Sequence, residues 1–121
     1  MLEMINIGID NAVAFRISGK VTAADMTLVL NDAKGKVENH GNIVILEQID
    51  SFKGIEIAAI AEEFKYLSDV GISNITKAAL LADSKWLDKI ISIEDRIFKN
   101  IEMKHFSIKE KELAIAFLKN T

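Results

Sequence analysis

The stretch QIDSFKG, residues 48–54, places the side chains most capable of chemistry close together. Ser51 stands beside Asp50 and just ahead of a glycine and a helix-like run. A nucleophilic serine needs a placed histidine and aspartate and a G-x-S-x-G elbow, and neither accompanies it. Phosphate suits a serine at a helix N-terminus, because free N–H groups and the helix dipole stabilise the added charge. Serine is commonest in caps and turns, so we interpret Ser51 as a loop or cap residue and phosphorylation as the less favoured alternative.

Aspartates end two apolar runs and form the second candidate site. Asp50 ends the run 42–49 and Asp83 ends the run 75–82. If both runs are neighbouring parallel strands, their carboxyl ends share the sheet edge where ligands usually bind. The two carboxylates could then act as an acid–base pair, but aspartate is also an ordinary helix-capping residue, and capping is the favoured interpretation. The neighbouring side chains of interest are Lys53, Lys85 and Trp86.

The two histidines predict no metal or cofactor site. His40 lies in the polar turn ENHGN and His105 in a strand-like run, with no carboxylate cluster beside either. We expect His40 to be a solvated loop residue and His105 a sheet residue with a hydrogen-bond partner. Zinc needs three or four converging ligands, and there is no cysteine to supply a thiolate. No glycine-rich phosphate loop is present, so no cofactor is predicted.

Composition excludes several classes of protein. The net charge is −3, from 15 basic and 18 acidic residues scattered along 121 positions, whereas nucleic-acid binding needs basic residues clustered on one face. Apolar runs such as IVIL and AALLA are far shorter than the ~20 residues of a membrane span. No signal peptide is visible, so we expect a cytoplasmic protein of bacterial type. The length fits one domain over residues 1–121.

Hydrophobic periodicity predicts alternating strands and helices. The turn GIDN joins the first two strands into a hairpin, and the third and fourth strands are continuously apolar, as in the buried centre of a parallel sheet. The second and fifth strands alternate, which is typical of outer strands with one wetter face. The predicted strands are 1–7, 12–20, 42–49, 75–83 and 101–106.

Four helices follow from the remaining periods. Thr22 with Asp25, and Ser107 with Glu110, have the spacing of capping boxes at the first and last helix. Gly35 weakens the first helix, which we expect to bend or fray near its end. The predicted apolar faces are Met26, Val29, Leu30, Ala33 and Val37; Ile57, Ile60, Ala61, Phe64 and Leu67; Trp86, Ile90, Ile93 and Ile97; and Leu113, Ala116 and Phe117.

The resulting β-β-α-β-α-β-α-β-α order indicates an α/β fold with a mostly parallel five-stranded sheet and right-handed crossovers. If the strands follow chain order in the sheet, every helix falls on one side. The apolar centre of the opposite face then needs a cover: a second subunit, a ligand, or one of these helices if its assignment to the first side is wrong.

The order and spacing of three features resemble the SpoIIAA-like (STAS-type) family over nearly the whole chain. They are the loop Asp50-x-Phe52-x-Gly54; Asp83 followed closely by Trp86; and a strand ending at Phe106, followed by Glu110 and the pair Phe117-Leu118 where relatives often have Trp-Leu. The resemblance implies a βα superhelix with sequential strands. Its fold group includes lipid-carrying Sec14-like domains and anti-sigma-factor antagonists, whose D-S-S/T-G loop is phosphorylated on serine. Alignment through Phe52 leaves no serine at that position.

Together these observations predict a non-enzymatic binding module that engages a protein partner or itself as a homodimer. The alternative is a small carrier or sensor of a hydrophobic ligand, and an aspartate-based enzyme is the least favoured. We expect no nucleic-acid partner and no catalytic residue. The predicted binding residues are Asp50, Phe52, Lys53, Gly54, Asp83, Lys85 and Trp86.

Overall fold

The computed structural model of the chain describes residues 1–51, 54–55, 74–83 and 102–119. Five of its strands form one sheet, two short strands form another, and two α-helices and a 3₁₀ helix complete the described elements. In chain order they are β1 Leu2–Met4, β2 Ala12–Ile17, β3 Lys20–Val21, α1 Ala23–His40, β4 Ile43–Ile49, β5 Gly54–Ile55, β6 Ile75–Ala82, β7 Glu102–Phe106, the 3₁₀ helix Ile108–Glu110 and α2 Lys111–Lys119. The other two predicted helices, around residues 57–67 and 86–98, lie outside the described residues.

The larger sheet has its strands in the order β1-β2-β4-β6-β7. β1 pairs antiparallel with β2, and every later pairing is parallel. The sequential order and the N-terminal hairpin are therefore confirmed. β4 and β6 are buried at consecutive positions, including Ile43, Val44 and the run 78–82, because elements cover both faces of the sheet centre.

The first helix begins at the predicted capping box. The Asp25 N–H donates to Thr22 Oγ1 at 3.2 Å, and the Thr22 N–H donates to Asp25 Oδ2 at 3.0 Å. Two of the otherwise unpaired N–H groups at the start of the helix are thereby satisfied. The helix passes through Gly35 and ends only at His40, so His40 is an exposed last-turn residue rather than a loop residue.

The two described helices cover opposite faces of the sheet, so the expectation that every helix lies on one side is wrong. Successive strand residues point to opposite faces. Val13 and Phe15 pack with α1, whereas Ala12 and Ala14 share a core with Ala114 and Leu118 of α2. The handedness rule applies to connections between parallel strands. Because α2 follows the last strand of the sheet, no crossover restricts it to the α1 face.

β2 is an inner strand, contrary to the prediction of a wet outer strand. Ala12 to Phe15 are all buried, and Arg16 is the exposed residue of the strand. The two alanines look weakly apolar in sequence, but the segment after β1 covers them. The partly buried side chains that pack there are Ile5, Ile7 and Ile9. β7 does have one wetter face, on which Glu102 and Lys104 are exposed.

The last helix buries a different stripe from the predicted one. Ala114 and Leu118 are buried, whereas Leu113 is 57% exposed and Ala116 is exposed. Phe117 is half-buried, between the two stripes. Residues 113–118 are six consecutive apolar side chains, so periodicity alone does not determine which stripe faces the sheet.

Candidate functional site

Asp50 follows β4 and its carboxylate is held by two neighbours. Its Oδ2 lies 3.2 Å from Arg16 Nε on β2, and its Oδ1 accepts a hydrogen bond from Gln48 Nε2 at 2.9 Å. The same arginine reaches Glu3 Oε2 at 3.1 Å. Both carboxylate oxygens of Asp50 therefore contact side chains of this chain.

Asp83 lies at the same edge of the sheet as Asp50. The residues that precede them, Ile49 and Ala82, are paired in register between β4 and β6. The predicted adjacency of the two strand ends is therefore present in the backbone, and Asp83 is exposed. Asp50, however, directs its carboxylate to Arg16 and Gln48. This geometry favours a structural role for Asp50.

Ser51 links two loops of the structure. The Gly19 N–H donates to both the Oγ of Ser51, at 2.9 Å, and its carbonyl oxygen, at 3.0 Å. Gly19 has a positive φ of 77°, which turns the chain between β2 and β3. Just beyond Ser51, Gly54 pairs with Lys20 in the two-stranded sheet, which the sequence had not predicted. These bonds support the loop interpretation of Ser51.

Four of the predicted binding residues, Phe52, Lys53, Lys85 and Trp86, lie outside the described residues. Their roles stay predictions.

His105 lies in the sheet, on β7, as the sequence predicted. Its Nε2 is buried and, in the part of the chain that the structure describes, has no hydrogen-bond partner. Within the same residues no group of three or more His, Cys, Asp or Glu side chains is placed to hold a metal ion.

A groove that the sequence had not predicted lies between β7 and α2. It is open to solvent and has a volume of about 430 Å³. We call it the β7–α2 groove, and its lining residues are Lys104, His105, Phe106, Glu110, Leu113, Ala116 and Phe117. The sequence feature that could have indicated this groove is the run of six apolar residues at 113–118. Six consecutive apolar side chains cover more of a helix surface than the single stripe that packs on one sheet face.

Aromatic rings and lysines meet on one side of this groove. The rings of Phe106 and Phe117 have centroids 5.9 Å apart and are tilted by 51°. Lys104 Nζ lies 5.6 Å from the Phe106 centroid and 5.9 Å from that of Phe117. Lys77 Nζ lies 4.8 Å from the Phe117 centroid and donates to the Phe117 carbonyl oxygen at 3.0 Å. Both amino groups are therefore within range of a cation–π attraction.

The start of α2 is also held in place. The Ser107 N–H donates to Glu110 Oε1 at 2.9 Å, and the Glu110 N–H donates to the Ser107 carbonyl oxygen at 2.9 Å. Ser107 and Glu110 are thus joined as the sequence predicted, although the first turn is a 3₁₀ helix. Glu110 is exposed and lines the groove.

None of the described helices is both long and apolar enough to cross a membrane.

Comparison with known proteins identifies a family and a fold. The family described as SpoIIAA-like matches residues 12–119. A solved structure of an uncharacterised protein of the DUF3478 family, with a SpoIIAA-like fold, from Shewanella loihica PV-4 is similar at 19% sequence identity and a TM-score of 0.71. The similarity covers 98% of this chain and 92% of that one. No curated protein matches the chain.

Proposed function

Because the chain belongs to the SpoIIAA-like family, we propose that it is a non-enzymatic module that binds another protein chain through the β7–α2 groove. The observation that carries this proposal is Leu113, a large apolar side chain 57% exposed at the border of an open apolar groove. Exposed apolar surface framed by charged residues is typical of interaction sites. Lys104 and Glu110 provide that charged frame.

The openness of the groove favours a protein over a small molecule. Pockets for small ligands enclose most of the ligand surface, usually 70–90%. An open groove between a helix and an edge strand instead suits side chains presented by another protein surface.

The strand-end edge gives little support to an enzyme. Asp50 forms an ion pair with Arg16, and Ser51 Oγ accepts a backbone N–H from Gly19. General acid–base or nucleophilic catalysis requires a group poised to give, take or share a proton with a substrate. Both candidate groups are engaged in structural contacts.

Site-specific photo-crosslinking in the native host cell tests the proposal. A benzophenone amino acid is placed at Leu113 in one variant and at Leu28 in the control. Leu28 is a matched control because it is a leucine of similar exposure, 53%, on α1. We expect a covalent protein adduct from position 113 and none from position 28. Equal labelling at both positions, or none at 113, would contradict the proposal.

A hydrophobic ligand is the second candidate, because a volume of about 430 Å³ lies within the usual range of ligand pockets. Native mass spectrometry of the gently purified protein, followed by a denaturing organic extract of the same sample, separates the two candidates. Extra mass that passes into the extract would favour the carrier. A protein-only mass would favour the interaction module.

A further inference from the structure

We propose that the chain bound in the β7–α2 groove is a second copy of this one, related by a two-fold axis. The inference rests on the proposed function, since it names the partner of the same groove. Its basis is a stripe along the 3₁₀ turn and the last helix that continues it: Glu110, Leu113 and Phe117 are spaced by three and four residues, so they lie on one side. All three line the groove.

This stripe is self-complementary in an antiparallel arrangement. In a two-fold interface the same surface appears on both sides, so that if residue i contacts residue j, j also contacts i. An axis beside Leu113 packs the two Leu113 side chains together. It also places Glu110 of one copy opposite the Ala116–Phe117 end of the other copy's α2. The apolar residues then occupy the centre and the charges the rim, as in most protein interfaces.

The charges of the groove match this arrangement. Lys104 Nζ lies 5.9 Å from the Phe117 ring, so Glu110 placed at the Phe117 end of the second copy meets that copy's Lys104. Symmetry produces this contact twice. Lys104 and Glu110 are both exposed, and the ion pairs among the described residues involve other side chains.

The two kinds of contact have different roles. Burial of Leu113, Ala116 and Phe117 supplies most of the driving force, because it removes apolar surface from water. The paired charges fix the register and disfavour a parallel arrangement, in which like charges would meet. A stable interface buries at least about 1,000 Å² in total, so we expect the contact to extend along the whole exposed side of α2.

Charge reversal on each side of the pair tests the dimer by sedimentation velocity over a concentration series. Lys104→Glu makes a subunit acidic at both positions, and Glu110→Lys makes it basic at both. Each variant alone brings like charges together twice, and we expect its dimer dissociation constant to rise at least about tenfold. In an equimolar mixture each acidic subunit meets a basic one, and we expect a mixed dimer close to wild-type affinity.

Two controls separate this result from a folding defect. Glu110 also accepts the Ser107 N–H, so Glu110→Gln keeps an acceptor oxygen for that bond and removes only the charge. Circular dichroism of each variant checks that the helices are retained. A wild-type chain that stays monomeric up to its solubility limit overturns the dimer. So does a dimer that neither reversal weakens, or single variants whose mixture fails to associate.

The failure of the dimer differs from the failure of the proposed function. If the wild type is monomeric but position 113 still forms an adduct, and its mass is not twice that of the chain, the groove binds a different protein. If position 113 forms no adduct and the wild type is monomeric, both proposals are wrong.

Discussion

Arg16 Nε and Asp50 Oδ2 lie 3.2 Å apart across the neighbouring strands β2 and β4. The pair is placed by the parallel register, in which Arg16 is opposite Gln48, two residues before Asp50. Residues two apart on a strand share a face, so Gln48 can also donate to Asp50. The sheet edge that the sequence marked as a possible reaction site is held by an ion pair between strands.

Asp50→Asn should therefore change stability slightly and binding not at all. The side chains of the pair are 45% and 36% exposed, and such ion pairs contribute at most about 1 kcal/mol because water screens them. We expect the free energy of unfolding, measured by urea denaturation, to fall by no more than that. Photo-crosslinking from position 113 should persist. If it is lost instead, the Asp50 loop belongs to the binding site.

Ser51→Ala should lower the free energy of unfolding by more than the removal of an exposed hydroxyl would. It removes an acceptor for the Gly19 N–H, and one intramolecular hydrogen bond contributes about 0.5–1.5 kcal/mol. The loss is limited because the Ser51 carbonyl still accepts the same N–H. We expect urea denaturation to show a decrease within that range and crosslinking to be unchanged.

The contrast between Ser51→Ala and Ser51→Asp tests phosphorylation control. If Ser51→Asp abolishes crosslinking while Ser51→Ala leaves it intact, a negative charge at this position switches binding. The loop interpretation would then be wrong. If the partner instead binds the loops around residues 50–54 and 83–86, as the sequence predicts, Phe52→Ala and Trp86→Ala should weaken binding more than Ser51→Ala. Equal binding by all three variants would remove the two aromatic residues from the candidate site.

Leu81→Ala and Leu113→Ala should separate core from surface on the same side of the sheet. Leu81 is fully buried in the cluster that α2 covers, and truncation of such a leucine costs about 2–5 kcal/mol. Leu113 is 57% exposed, so its truncation should change the free energy of unfolding of the monomer by less than about 0.5 kcal/mol. The comparison is made by urea denaturation at a protein concentration at which the chain is monomeric. A large loss for Leu113→Ala would place it in the core.

The central sheet could be predicted from sequence because its strands have two buried faces. Runs such as Ile43–Leu46 and Ala78–Ala82 are continuously apolar, and only a buried strand between covered faces needs that. The start of α1 could also be predicted, because Thr22 and Asp25 are three residues apart and accept each other's backbone N–H groups. These signals do not depend on distant parts of the chain.

The candidate site could not be predicted because it depends on tertiary packing. Ala114 and Leu118 rather than Leu113 and Ala116 face the sheet, and in a run of six apolar residues either stripe satisfies the periodicity. The choice of stripe determines which side chains border the groove. Similarly, β3 and β5 have two residues each, too few for a strand pattern to be visible in sequence.

Thr22→Ala should destabilise the chain through α1 alone. The substitution removes the oxygen that accepts the Asp25 N–H, and loss of such a cap costs about 0.5–2 kcal/mol. Thr22→Ser is the matched control because it keeps the hydroxyl. We expect a lower midpoint in urea for the alanine variant and a value close to wild type for the serine variant. Identical midpoints for alanine and wild type would show that the cap contributes nothing.

Salt should weaken the proposed dimer in a way that depends on Lys104 and Glu110. The distance over which charges interact falls from about 10 Å at 0.1 M salt to about 3 Å at 1 M, so exposed ion pairs at an interface rim are screened. We expect the wild-type dissociation constant from sedimentation to rise several-fold over this range.

The double variant Lys104→Met with Glu110→Gln lacks both charges and should dimerise more weakly at low salt, with little further change as salt is added. If the double variant kept the salt response of the wild type, the charges at the interface would have to be other than these two. A wild-type dimer that tightens with salt would indicate an interface held by apolar contact alone, and the paired charges would then have no part in its register.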